Sequence, residues 1–230
     1  MLKFFIIIQA RLSSTRLPGK VFLKSNDGHI ILQSQVKRLK LILKKINIKH
    51  KIIIAAPTKD KKNFTKYFKK NIFFGSEKNV LQRYYFCAKK FKAKNIIRVT
   101  SDDPLLTIDS FRIILDCLKK SKFTNNRLIS LWHTKQVPHG SNITYLDFDA
   151  LEKIYKNANN KKTKEHIIIF DNSFIKVNLI LPKIPKLIKN SKIRTCIDTF
   201  EDYLRYRKSG IKFFEKLNFS MIKKAFISIK

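Results

Sequence analysis

Arg11, Arg16 and Lys20 fall within one short segment, Gln9-Ala10-Arg11-Leu12-Ser13-Ser14-Thr15-Arg16-Leu17-Pro18-Gly19-Lys20. Three cations this close can cradle a triphosphate, helped by the hydroxyls of Ser13, Ser14 and Thr15 and by loop N–H groups. The segment follows an apolar run at 4–8 that reads as a buried first strand. Open α/β sheets bind ligands at the carboxyl ends of such strands. The GxxxxGK[ST] spacing of a Walker loop is absent. On composition alone, a basic surface loop is an equally good reading.

The elements that must hold this loop alternate. Strands are predicted over 4–8, over 52–56 with a stop at Pro57, over 72–74 with a stop at Gly75, and over 96–100. Between them, Ile30, Ile31, Val36, Leu39, Ile42 and Leu43 have helical spacing, and helices are predicted over 64–68 and 80–91. Asp109 is read as the cap of a helix running through 118. This β-α-β-α order predicts a mostly parallel sheet covered on both faces. Beyond 128 the rhythm changes. Strands are predicted at 128–132 and 142–148 with no helix between them, then a helix at 150–156. An alternating edge strand at 174–181 ends at Pro182 and Pro185, and helices at 200–208 and 213–227 close the chain.

The chain has 230 residues, 44% of them hydrophobic, and no apolar run of about 20 residues that could span a membrane. The apolar start resembles a signal peptide only faintly, since Gln9, Arg11 and Arg16 stand where small residues would be cleaved; it is read as a strand of a cytoplasmic protein. Cys87, Cys117 and Cys196 are widely spaced and form no metal pattern, so they read as small buried hydrophobes in a reducing compartment. The formal charge of +34 invites a nucleic-acid reading. Only 10 of the 50 basic residues are Arg, the residue that reads bases, and the Lys are spread along the chain. No dedicated nucleic-acid partner is expected. Acidic membrane surfaces and other polyanions should still be attracted at low salt.

The loop closely resembles the signature of the cytidylyltransferases that make CMP-sugars, such as 3-deoxy-manno-octulosonate cytidylyltransferase. The nearest resemblance is to the SpsF-type branch of spore coat polysaccharide biosynthesis proteins. Further motifs follow in order. Gly75-Ser76-Glu77 through Val80-Leu81-Gln82-Arg83-Tyr84-Tyr85 resembles GSE…VLDRYY, and Arg98-Val99-Thr100-Ser101-Asp102-Asp103-Pro104-Leu105 resembles RITGDCPL. Pro138-His139-Gly140 resembles PDG, Glu165-His166 resembles the end of REH, and Asp198-Thr199-Phe200-Glu201-Asp202-Tyr203 resembles DTPEDY. The likeness covers nearly the whole chain.

The resemblance implies a Rossmann-like nucleotide-diphospho-sugar transferase fold in a single domain over 1–230. Residues 1–125 would form the nucleotide-binding half, and 126–230 the acceptor-sugar half with a second metal ligand. It implies that Arg11 and Lys20 hold the triphosphate of CTP and stabilise charge on the α-phosphate and leaving pyrophosphate. Ala10, Ser14, Arg16, Ser76 and Arg98 would join the nucleotide site. Asp102 and Asp198 would bind Mg2+, a hard cation that takes carboxylate oxygens. The bland alternatives are a turn or cap at Asp102, and at Asp198 a helix N-cap with Glu201 in the capping-box position. His139, Asn142, Glu165 and His166 would face the acceptor sugar. The chain departs from the branch at Gln82, Ser101, Asp103, His139 and Asn142; the last two replace acidic residues. CTP and a sugar are therefore the expected partners, and the sequence leaves a homodimer open. A glycosyltransferase of similar fold would want an Asp-x-Asp motif, where this chain has Asp102-Asp103. A non-catalytic polyanion binder would not need two separated Asp residues beside a triphosphate loop.

Overall fold

The run Phe4-Phe5-Ile6-Ile7-Ile8 is apolar at every position because both of its faces are covered. In a computed structural model, which describes residues 2–167, 176–189, 191–212 and 214–228, it forms the interior strand β1 (Lys3–Gln9). Phe4, Ile6 and Ile8 face one apolar core, and Phe5 and Ile7 face another. β1 pairs in parallel with β2 (Lys49–Pro57) and β4 (Asn95–Thr100), and β2 pairs in parallel with β3 (Ile72–Gly75). β6 (Thr144–Asp147) is antiparallel to β4 and to β5 (Arg127–Ser130), and β7 (Asn178–Ile180) runs parallel to β5 at the edge. The described sheet has seven strands in the order β3-β2-β1-β4-β6-β5-β7.

Helices cover both faces. The first core takes side chains from α1 (Ile31–Lys45), α2 (Lys61–Tyr67) and α4 (Ile108–Lys120). The second takes them from α3 (Val80–Lys90) and α5 (Phe148–Asn157). α6 (Lys161–His166) lies beside α3. α7 (Phe200–Lys208) and α8 (Phe219–Ile227) close a third cluster around Ile197, Tyr206 and Ile222. The three cysteines are free; Cys87 and Cys196 are buried and Cys117 is half-buried. No described helix is long and apolar enough to cross a membrane.

Several expected boundaries move. The strand expected at 128–132 stops at Ser130, and Trp132–Thr134 forms a 3-10 turn closed by Thr134 Oγ1 on the Leu131 carbonyl. The strand expected at 142–148 narrows to β6 because Asp147 caps α5, accepting from the Ala150 N–H. Asp109 does not cap α4: Thr107 is the N-cap, and Asp109 accepts from the Phe219 N–H at the start of α8. Of the helix expected over 213–227, position 213 lies outside the described residues, and the described helix begins at Phe219 with Asn218 capping it. Of the expected edge strand, positions 174 and 175 lie outside the described residues, and the described part is β7.

Candidate active site

The loop after β1 is folded by its own backbone. The N–H groups of Ser14 and Gly19 both donate to the Leu12 carbonyl at 2.9 Å, and the Leu12 N–H donates to buried Asp60 at 3.1 Å. Gly19 sits at φ +69° just before the 3-10 turn Lys20–Phe22. That left-handed position reverses the chain cheaply only with glycine. The turn aims Lys20 inward, and its side chain is only 11% exposed.

Asp102 stands in the turn just past β4, held by Gln35 of α1, whose amide donates to the Thr100 and Asp103 carbonyls. Asp198 comes from the segment that enters α7. The Ile197 N–H donates to the Asp102 carbonyl at 2.8 Å, and the Thr195 N–H donates to the His139 carbonyl at 2.8 Å, so this segment is clamped from both sides. The two carboxylates meet at one nitrogen: Lys20 Nζ lies 2.9 Å from Asp198 Oδ1 and 3.5 Å from Asp102 Oδ2. Their 96-position separation in sequence is thus closed in space.

Asp198 also receives Arg16 at 3.2 Å and Arg194 at 3.1 Å, and Arg194 bridges on to Asp202 at 2.9 Å. Burial pushes the Asp198 carboxyl up, but the Lys20 hydrogen bond and charge, with Arg16 and Arg194, outweigh it and leave its pKa below the ordinary value. Asp198 is not the cap of α7. Thr199 is, in a capping box with Asp202 rather than Glu201, because the Asp198 side chain is committed to the cations. Asp103 is a different case. Burial, then the charges of Asp102 and Asp198, push its carboxyl well up, and it accepts from Thr100 Oγ1. The Asp102-Asp103 pair therefore does not present two carboxylates to the cleft.

A pH dependence follows from Asp198. Its folded pKa is depressed, so the unfolded chain binds the extra proton in the window between the two values. The associated stability is present above the ordinary carboxylate value, near 4, and is lost as pH falls below it. Asp198→Asn should flatten the acid limb of a pH series of urea unfolding midpoints. An unchanged acid limb would contradict the ion-pair geometry.

A cleft of about 190 Å³ opens between these groups, and Arg11, Ser14, Arg16, Lys20, Arg98, Asp102, Glu165, His166 and Asp198 all line it. Gln9, Thr15, Thr100 and Ser101 complete its walls. Glu165 and His166 arrive on α6, which Asn160 caps by accepting from the Thr163 N–H. Burial lowers the His166 pKa, and the nearby Arg11 and Arg98 charges act the same way against Glu165. Four expected residues are not on the cleft wall. Ala10 is buried behind it, with its N–H on the Ala55 carbonyl. Ser76 accepts from the Asn79 N–H at the start of α3. His139 is exposed and contributes its carbonyl to Thr195, and Asn142 is half-buried in the approach to β6. A larger cleft of about 600 Å³ lies at the opposite end of the strands, beside Asn95 and Asp147, and contains none of these groups.

Among the described residues, no cluster of three or more His, Cys, Asp or Glu could hold a metal. Two carboxylates with the Lys20 ammonium against both are what remains. That oxygen-only pair suits a hard divalent cation. Arg194 was missed by sequence reasoning. Its only signal is its position four residues before Asp198, in a segment with no helical pattern.

The model of the cytidylyltransferase family matches residues 5–227. The chain belongs to this family. Among its relatives, this cytidylyltransferase is 36% identical over 212 residues to the uncharacterized protein MJ1063 of Methanocaldococcus jannaschii, covering 89% of this chain and 82% of that one. It is 27% identical over 217 residues to the spore coat polysaccharide biosynthesis protein SpsF of Bacillus subtilis, covering 89% and 86%. The solved structure of a cytidylyltransferase from Leptospira borgpetersenii superposes with a TM-score of 0.80 at 26% identity, covering 100% of this chain and 94% of that one. The chain is a CTP-using nucleotidyltransferase with the Rossmann-like, mixed and mostly parallel sheet of these enzymes.

Proposed function

We propose that this cytidylyltransferase joins CMP to the hydroxyl of an acidic sugar for surface polysaccharide or glycan biosynthesis. The observation that carries the reading is the meeting of Asp102 and Asp198 at Lys20 Nζ, beside a loop that brings Arg11 and Arg16 to the same cleft. An acceptor hydroxyl oxygen attacks the α-phosphorus of CTP. The bond from that phosphorus to the bridging oxygen breaks, and pyrophosphate leaves. Negative charge grows on the α-phosphate and the leaving group, where Arg11, Arg16 and Lys20 neutralise it. Preorganised cations of this kind are often the largest catalytic contribution.

Asp102 and Asp198 would hold magnesium, which when bound supplies further neutralisation of the triphosphate. Glu165 and His166 form the acceptor side, with Arg98 and Arg11 close enough to pair with a sugar carboxylate. His139 and Asn142 enter this reading only from behind the wall. The nucleotide and acceptor halves, 1–125 and 126–230, then meet across one cleft. The name of the SpsF relative supports a polysaccharide setting.

His166 is also suited to take the hydroxyl proton. Burial lowers its pKa, so the imidazole is neutral at physiological pH and can accept. Activity should therefore fall as pH drops through a value below the ordinary histidine figure of about 6.5. His166→Gln should remove that acid limb from the kcat profile. A profile identical to wild type would exclude His166 as the base.

CTP with magnesium should protect the fold against heat more than ATP or GTP does. Saturation at about 100 times the dissociation constant corresponds to about 2.7 kcal/mol of added stability. Arg11→Ala should remove most of this protection, whereas Lys189→Ala, on an exposed site away from the cleft, should not. Equal protection by all three nucleotides would favour generic polyanion binding.

A further inference from the structure

Lysines are spread along this protein, but the acids that would offset them are not. Positions 28–76 hold 13 Lys and Arg residues and one acid, Asp60. Asp60 is buried and turned to the Leu12 N–H, so it does not face solvent. The one arginine, Arg38, is fully buried and donates to the carbonyls of Leu106, Glu215 and Lys216. What remains exposed is lysine. On α1, Lys37, Lys40, Leu41, Lys44 and Lys45 follow helical spacing and are all exposed, so they share one outward stripe. Next to α1, a groove of about 430 Å³ is walled by Lys40, Lys51, Tyr67, Phe68, Lys69 and Lys70, and no carboxylate is among its lining residues. Tyr67 is 42% exposed and Leu41 39% exposed within this basic field.

We infer that the face built by α1, the end of α2 and the entries to β2 and β3 docks on a membrane surface rich in acidic phospholipid. Polybasic clusters are drawn to such surfaces. Lysine stems carry their charge to the headgroups while exposed apolar groups such as Leu41 and Tyr67 reach the interface. A nucleic acid would be met better by arginine forks, and no arginine lines this groove. Lys51 and Lys69-Lys70 sit at the amino ends of β2 and β3, whereas the cleft lies at the carboxyl ends. Docking here leaves the cleft open.

The test is co-sedimentation of the full chain with phosphatidylcholine vesicles, with and without about one third phosphatidylglycerol, at ~0.15 M salt. Binding is expected only to the acidic vesicles. The triple variant Lys40→Glu/Lys69→Glu/Lys70→Glu should lower that partitioning on the order of 100-fold. Lys183→Glu/Lys186→Glu/Lys189→Glu, which changes net charge equally on another exposed segment, should lower it far less. Thermal unfolding of both variants establishes that the fold is intact. Equal losses in the two variants would overturn the proposal in favour of diffuse charge attraction. No binding to acidic vesicles would overturn it outright. Tighter, face-dependent retention of a single-stranded oligonucleotide would replace it with a nucleic-acid surface.

Discussion

Lys20→Ala should lower kcat on the order of 10²–10³-fold, the loss typical of removing one preorganised charge-stabilising donor. The residue sits at the centre of the cleft, its ammonium touching both Asp102 and Asp198. On the proposed reaction, that charge would neutralise the leaving pyrophosphate. Lys20→Arg should not restore the rate. A planar fork cannot take the place of a compact ammonium on a side chain that is 11% exposed. Arg11 and Arg16 remain, so CTP should still protect the Lys20→Ala protein against heat. The expected pattern is therefore a large kcat loss with a smaller loss of binding. Loss of binding with unchanged kcat at saturating CTP would move Lys20 from charge stabilisation to ground-state binding.

Gly140→Ala should destabilise the fold on the order of 3–4 kcal/mol, combining positive-φ strain with backbone overlap. Gly140 has φ +96°, and an added Cβ would overlap Thr195 Oγ1 and stand 2.5 Å from the Cys196 nitrogen and 2.6 Å from the Thr195 carbonyl carbon. Two of these obstacles are backbone and cannot rotate away. The same contact seats the 195–198 segment, whose Thr195 N–H bonds the His139 carbonyl next door. Any protein that folds should place Asp198 poorly and lose activity as well. Gly28→Ala provides the comparison. Gly28 also has positive φ, at +82°, but its Cβ would meet nothing within 4 Å. Only the strain should appear there, about 1 kcal/mol. Urea unfolding of the two variants separates the contributions, and equal costs would mean that the 140–195 contact is not tight.

The parallel half of the sheet was legible because β1, β2 and β4 are covered on both faces and so read as unbroken apolar runs. The gathering of Arg11, Arg16 and Lys20 on one cleft was legible because the three lie close together in sequence. Asp198 was found through its motif, although local rules alone gave it a capping role that Thr199 holds. α6 left no trace, since its six residues, KKTKEH, carry no apolar period and are fixed by a cap and by packing on α3. Glu165 and His166 were therefore recognised without the element that delivers them. Arg194 was illegible because it reaches Asp198 and Asp202 from a stretch outside any helix, where no helical spacing marks it. His139 and Asn142, expected beside the acceptor, do not line the cleft; the His139 carbonyl instead accepts from the Thr195 N–H and so supports the Asp198 segment.

One cleft, closed by Lys20, Asp102 and Asp198, is proposed to transfer CMP from CTP to a sugar. The most direct measurement is pyrophosphate release by the wild-type protein and by Asp198→Asn, with CTP, UTP, ATP or GTP, magnesium, and a panel of acidic and neutral sugars. Release should require both CTP and an acidic sugar and should fall on the order of 10²-fold or more in Asp198→Asn. Release that is indifferent to the nucleotide, or that survives Asp198→Asn undiminished in a folded protein, would contradict it.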